Sequence, residues 1–106
     1  MRMRRKRNLE PRMEACADLL IARGKPLKNL KEAERSYRAV VDYAALFSNE
    51  NPVELEVGCG NGKFIAELAR RRPDTNFVAV ELCTNVILTA MEKIKEEGIK
   101  NVRFLN

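Results

Sequence analysis

Histidine and tryptophan are absent from these 106 residues, and cysteine occurs only at positions 16, 59 and 83. With no histidine and no C-x-x-C pair the chain lacks the usual zinc-ligand sets, so a structural metal is not expected. An odd number of thiols suits a reducing compartment, in which small buried cysteines act as core residues and disulfides do not form. Long apolar runs are lacking as well. Nothing approaches the ~20 residues needed to span a bilayer, and the basic start of the chain is not followed by the apolar core of a secretory signal. The expectation is a cytoplasmic protein without a membrane span. A hydrophobic content of 45% beside 33% charged residues is ordinary for a globular chain, and the length leaves room for one small domain.

Charge is abundant but uneven. The formal net charge is +5. Residues 1–12 hold Arg2, Arg4, Arg5, Lys6, Arg7 and Arg12 against Glu10 alone, so the rest of the chain is balanced. Such a basic start suits a polyanion, because each Lys or Arg near a phosphate releases condensed counterions. No aromatic residue lies among those twelve to stack on a base, so composition alone equally allows a solvated tail.

From Leu27 to Phe47 the apolar residues Leu30, Ala33, Tyr37, Val40, Val41, Ala44 and Phe47 recur at steps of three and four, the signature of one helix face. Residues 48–52 (SNENP) form a loop. Val53–Val57 reads as a strand and is followed by the glycine-rich stretch 58–62 and a helix through Arg72, which Pro73 terminates. Asn76–Glu81 (NFVAVE) is a second strand. Thr84 can cap a helix with Val86, Ile87, Ala90, Met91 and Ile94 on one side, and Gly98 suits its C-terminal end. Asn101–Leu105 (NVRFL) is a third strand. The order βαβαβ implies an α/β fold with a parallel sheet and right-handed crossovers.

The sharpest signal is Glu56-Val57-Gly58-Cys59-Gly60-Asn61-Gly62 at the end of the first of these strands. Glycines there permit positive φ and let a ligand approach the backbone. A dinucleotide fingerprint would be G-x-G-x-x-G, and its third glycine would fall at Lys63. Glu81 closes the second strand near the ~20-residue offset at which an acidic side chain takes ribose hydroxyls in such folds. Each acid also has a plainer reading, as a strand-end carboxylate. Cys59 reads as a small loop residue, since no general base lies nearby in sequence. Arg70, Arg71 and Arg72 occupy a last helical turn, where cations complement the dipole, with phosphate binding as the lesser alternative.

The spacing E-x-G-x-G-x-G resembles motif I of the class I methyltransferases. That resemblance implies an incomplete Rossmann-like fold and S-adenosylmethionine as cofactor. It makes Glu56, Gly58, Gly60, Gly62 and Glu81 the cofactor-binding positions, with Glu56 toward the amino group and the cofactor's carboxylate near the first turn of the following helix. The opening Met1-Arg2-Met3-Arg4-Arg5-Lys6, the segment PRME at 11–14, VELEVGCGNGKFI at 53–65 and NVRFLN at 101–106 together resemble the bacterial tRNA (guanine-N(7)-)-methyltransferases. Membership of that family implies methyl transfer to N7 of a guanine in the tRNA variable loop. It also implies tRNA as partner, with Arg2, Arg4, Arg5, Lys6 and Arg7 near its phosphates. Residues 1–26 are then a basic extension, and 27–106 the N-terminal half of the cofactor-binding domain. The family's Asp-Ala pair beyond the third strand and its later substrate-site aspartate have no counterpart up to Asn106. The expectations are therefore inactivity of this chain alone and an exposed sheet edge at Val53–Val57, covered by the missing half or by self-association. Two rival classes are a nicotinamide-dependent oxidoreductase fragment and a non-catalytic RNA-binding fragment.

Overall fold

A computed structural model describes residues 4–22 and 42–106. The described elements are α1 (Leu9–Ala15), a 3-10 turn (Ala17–Leu19), β1 (Leu20–Ala22), α2 (Tyr43–Phe47), β2 (Val53–Val57), α3 (Lys63–Arg71), β3 (Asn76–Val80), α4 (Thr84–Glu96) and β4 (Val102–Leu105). Among the described residues the strands form one sheet in the order β1-β4-β3-β2, with every pairing parallel. The βαβαβ unit expected from Val53 onward is therefore present, and the α/β class with it. β1 is an addition that the sequence pattern does not reveal, since three residues are too few to display a period of two.

Register gives the sheet two unequal faces. Glu54 lies opposite Phe77 and Glu56 opposite Ala79 on one flank, while Phe77 pairs with Val102 and Ala79 with Phe104 on the other. Phe77, Ala79, Val102 and Phe104 join Ile65, Ala66 and Ala69 of α3 and Ile87, Ala90, Met91 and Ile94 of α4 in a single buried cluster. Leu9, Met13, Cys16 and Leu19 extend that cluster, so the N-terminal segment packs on the helical layer through its own apolar residues. On the opposite face Val78 is buried and the Arg103 guanidinium lies 5.1 Å from the centre of the Phe47 ring. Leu55 and Val57 of β2 point to that same face and are 62% and 75% exposed.

The helix expected over 27–47 falls mostly outside the described residues. Its described end is a separate short start. Asp42 has extended backbone and its side chain accepts a hydrogen bond from the Ala45 N–H at 3.1 Å, as an N-cap does. At α4 the capping differs from expectation. Cys83 takes the extended N-cap position, so Thr84 is already helical and its hydroxyl meets Asn106 Oδ1 at 3.3 Å. Gly98 behaves as the sequence suggests, with φ +66° and its N–H donated to Lys95 O.

Side-chain amides and ion pairs close the lower end of the layer. The Asn101 amide donates to the carbonyls of Ala69, Arg72 and Thr75 at 2.9–3.1 Å, satisfying groups that a helix end leaves open. Arg72 forms a two-pronged pair with Glu54, both contacts at 2.7 Å. Arg70 and Arg71 both bind Glu67, and Arg70 also reaches Glu97 at 2.9 Å. All three arginines thus have carboxylate partners, which favours the structural reading of this run. No helix among the described residues is long and apolar enough to cross a membrane.

Candidate functional site

The loop between β2 and α3 is anchored on its neighbour strand. The N–H groups of Gly58 and Cys59 both donate to Val80 O, at 2.8 and 3.1 Å. The Gly62 N–H returns to Cys59 O at 3.2 Å, and Asn61 Oδ1 receives the Lys63 N–H at 3.1 Å. A turn this tight needs backbone conformations that side chains resist. Gly58, Gly60 and Gly62 have φ of +75°, +56° and +85°.

The three glycines nevertheless serve different purposes. A Cβ placed on Gly58 or Gly60 would meet nothing within 4 Å, so these two border open space into which a ligand can come against the main chain. A Cβ on Gly62 would lie 2.9 Å from Ala90 Cβ, so this glycine permits close packing of the loop on α4.

Glu56 and Glu81 are near enough to this loop for both carboxylates to act on the Cys59 thiol. β2 and β3 run parallel in register through Val57 and Val80, so Glu56, near the end of β2, and Glu81, directly after β3, stand at the C-terminal ends of adjacent strands. The Glu56 side chain is half-buried and has no hydrogen-bond partner among the described residues. Glu81 Oε2 lies 3.4 Å from the Cys83 N–H, while its backbone N–H is held by Leu105 O at 3.0 Å and its carbonyl accepts from the Asn106 amide at 3.0 Å. Buried beside the loop, the Cys59 thiol is pushed up to about 11, first by desolvation, then by the negative charge of Glu81 and, more weakly, of Glu56. The thiol therefore feels both carboxylates and remains protonated at neutral pH, as expected of an inert loop residue. Leu82, which follows Glu81, and Phe64, in the first turn of α3, are exposed. Among the described residues no group of His, Cys, Asp or Glu is arranged to hold a metal ion.

The residues of the basic start are dispersed rather than pooled at this crevice. Arg2 lies outside the described residues. Arg4, Arg5 and Arg7 are exposed, and Arg5 pairs with Glu10 at 3.2 Å. Lys6 is half-buried on α4, its N–H donated to Asn85 Oδ1 at 3.0 Å and its ammonium to Thr89 Oγ1. Arg12, which the sequence offers only as one more cation, grips both oxygens of Glu92. The signal for this docking is in α4 itself, where Asn85, Thr89 and Glu92 recur at steps of four and three beside the apolar stripe.

Comparisons with known proteins point to a methyltransferase. A family model described as "Putative methyltransferase" matches residues 50–106. A tRNA (guanine-N(7)-)-methyltransferase of Bacillus velezensis is 42% identical over 91 residues, covering 79% of this chain and 42% of that protein. The enzyme of the same description from Brevibacillus brevis is 40% identical over 90 residues, 74% of this chain and 42% of its own. That of Bacillus subtilis is 44% identical over 61 residues, 58% of this chain and 29% of its own. The chain thus spans less than half the length of these curated relatives.

Proposed function

Because the chain belongs to the methyltransferase family whose model spans residues 50–106, we propose that it supplies the cofactor-binding half of an S-adenosylmethionine-dependent tRNA (guanine-N(7)-)-methyltransferase. In this reading the acceptor is N7 of a guanine in the tRNA variable loop, and the enzyme works in the cytoplasm. The observation that carries the cofactor assignment is the pair Glu56 and Glu81 around a positive-φ glycine loop bordered by open space. The donor set suits the cofactor. A half-buried carboxylate without a partner suits an ammonium, the strand-end acid Glu81 can accept from two ribose hydroxyls, and Gly58 and Gly60 leave room for close contact.

When bound, the cofactor supplies a sulfonium methyl group that an electron pair can attack. Guanine N7 carries an in-plane lone pair and loses no proton on attack, so the protein needs no general base. Its task is to align and to exclude competitors. Glu56 would hold the cofactor's ammonium and Glu81 its ribose, and the loop amides are fixed on Val80 O. Cys59, protonated at neutral pH, offers no competing thiolate. The outer edge of β2 has no strand partner among the described residues. In the proposed enzyme it receives further strands, either from additional chain or from a second copy.

The test is calorimetric titration with S-adenosylhomocysteine. Glu81→Ala is expected to weaken binding by about 1.5–3 kcal/mol, the scale of hydrogen bonds to a charged acceptor. Unchanged affinity would remove the ribose assignment. Tighter binding of a nicotinamide dinucleotide in the same cell would favour the oxidoreductase class instead.

A further inference from the structure

The glycine loop has a second side. The close approach of Gly62 to Ala90 brings Asn61 and Lys63 beside α4. From the opposite direction the basic segment reaches the same helix, with Lys6 on Asn85 and Thr89 and Arg12 on Glu92. Between these two approaches lies an open groove of about 370 Å³. Its cations are Lys6, Arg12, Lys63 and Lys93, and its carboxylates are Glu92 and Glu96.

These charges are not equivalent. Glu92 commits both oxygens to Arg12, so that pair is neutral. Lys93 lies 3.7 Å from Glu97. Lys6 donates its ammonium to a neutral hydroxyl, and Lys63 enters no ion pair among the described residues. Lys6 and Lys63 therefore face the groove from different elements without an ion pair of their own, against one carboxylate, Glu96, that is likewise unpaired among the described residues. Asn61 stands with them, its Oδ1 occupied by the Lys63 N–H and its amide N–H groups left to donate.

We propose that this end of the groove seats a backbone phosphate of RNA, held by Lys6, Lys63 and the Asn61 amide. The seat adjoins the cofactor crevice, since Asn61 directly follows Gly60. The choice of RNA as the polymer rests on the tRNA reading above. A lipid surface is disfavoured because the groove lining contains no apolar residue to enter the hydrocarbon. An open groove also suits a phosphate carried on a strand better than an enclosed small anion.

The experiment is fluorescence anisotropy of labelled, unmodified tRNA with the 106-residue chain over a series of salt concentrations. Lys63 is exposed, so Lys63→Ala should leave the fold intact, as circular dichroism will show. This variant is expected to flatten the slope of log K against log salt by about 0.7–0.9, one phosphate contact. Lys63→Arg is expected to retain the slope. Arg71→Ala makes the same change in net charge outside the groove and is expected to leave the slope unaltered. Equal effects of Lys63→Ala and Arg71→Ala would overturn the proposal, because only bulk charge would then matter. A loss of binding to phosphatidylserine vesicles, without a change for tRNA, would assign the groove to a membrane and overturn it too. Calorimetry with S-adenosylhomocysteine on the same samples separates the two readings. A chain that binds tRNA through Lys63 yet ignores this ligand would refute the methyl-transfer reading and leave the groove standing.

Discussion

At the scale of single residues, the glycines of the loop are separable by experiment. Gly62→Ala brings a methyl group to within 2.9 Å of Ala90 Cβ and 3.0 Å of its Cα, which is helix backbone and cannot swing aside. We expect a loss of about 1–3 kcal/mol from overpacking, added to roughly 1–2 kcal/mol for a side chain at positive φ. Gly60→Ala meets open space, so only the second cost applies, and its larger effect should fall on cofactor affinity. Urea denaturation of the two variants measures the difference. Equal midpoints would mean that α4 yields easily at Ala90. Cys59 reports on the acids. With its thiol pushed up to about 11, on the order of one thiol in a thousand is ionised at pH 8, and alkylation by iodoacetamide should be slow. Glu81→Gln removes one cause of the shift and is expected to speed the reaction. Peptide mass spectrometry across pH follows both rates, and no acceleration would place the carboxylate away from the loop.

At the scale of elements, the docking of the basic segment on α4 is electrostatic as well as apolar. Arg12 holds the Glu92 carboxyl below its usual range, chiefly through its hydrogen bonds. Lys95, 3.0 Å from Asp18, does the same for that acid. Both acids have folded pKa values below their unfolded ones, so their contribution is complete above the ordinary carboxylate range and is lost as pH falls through the lowered values. These pairs are substantially exposed, so the contribution is modest and salt-sensitive. The protection of residues 9–15 against hydrogen exchange, taken relative to the intrinsic rate at each pH, is expected to fall as pH drops below about 4, and Glu92→Gln should remove much of that dependence. A Glu92→Gln variant with the parent's pH profile would leave the apolar contacts of Leu9 and Met13 as the whole of the docking.

The same scale explains what could be read in advance. Glycine spacing, strand-helix alternation and the strand-end acids are local patterns, and β2 through β4 with their loop were legible from them. Three features were not. β1 is too short to show alternation, and its pairing with β4 comes from the far end of the chain. Asp42, inside the expected helix, is instead an extended N-cap whose side chain accepts from the Ala45 N–H. The groove joins Lys6 to Lys63, residues that only the closeness of Gly62 to Ala90 brings to one place.

At the scale of the molecule, one face of β2 remains uncovered. Leu55 and Val57 are 62% and 75% exposed, and the relatives are more than twice as long as the matched region. The 106-residue chain is therefore expected to bind S-adenosylhomocysteine but not to methylate tRNA, since alignment of acceptor and methyl can supply roughly 7–11 kcal/mol of barrier reduction. Incubation with unmodified tRNA and labelled cofactor, beside the Bacillus velezensis enzyme, measures this. Transfer at a rate approaching that of the longer protein would show that these residues suffice.

The pairing of β1 with β4, reinforced by Arg12 on Glu92 across 80 residues of chain, has a consequence for biosynthesis. Residues 9–22 leave the ribosome well before the strand they lie against has been made. At about 5–20 residues per second, that interval lasts roughly 4–16 seconds. During it Leu9 and Met13 have no α4 to pack on and Arg12 has no Glu92 to bind. The basic segment is made long before the strand that it lies against.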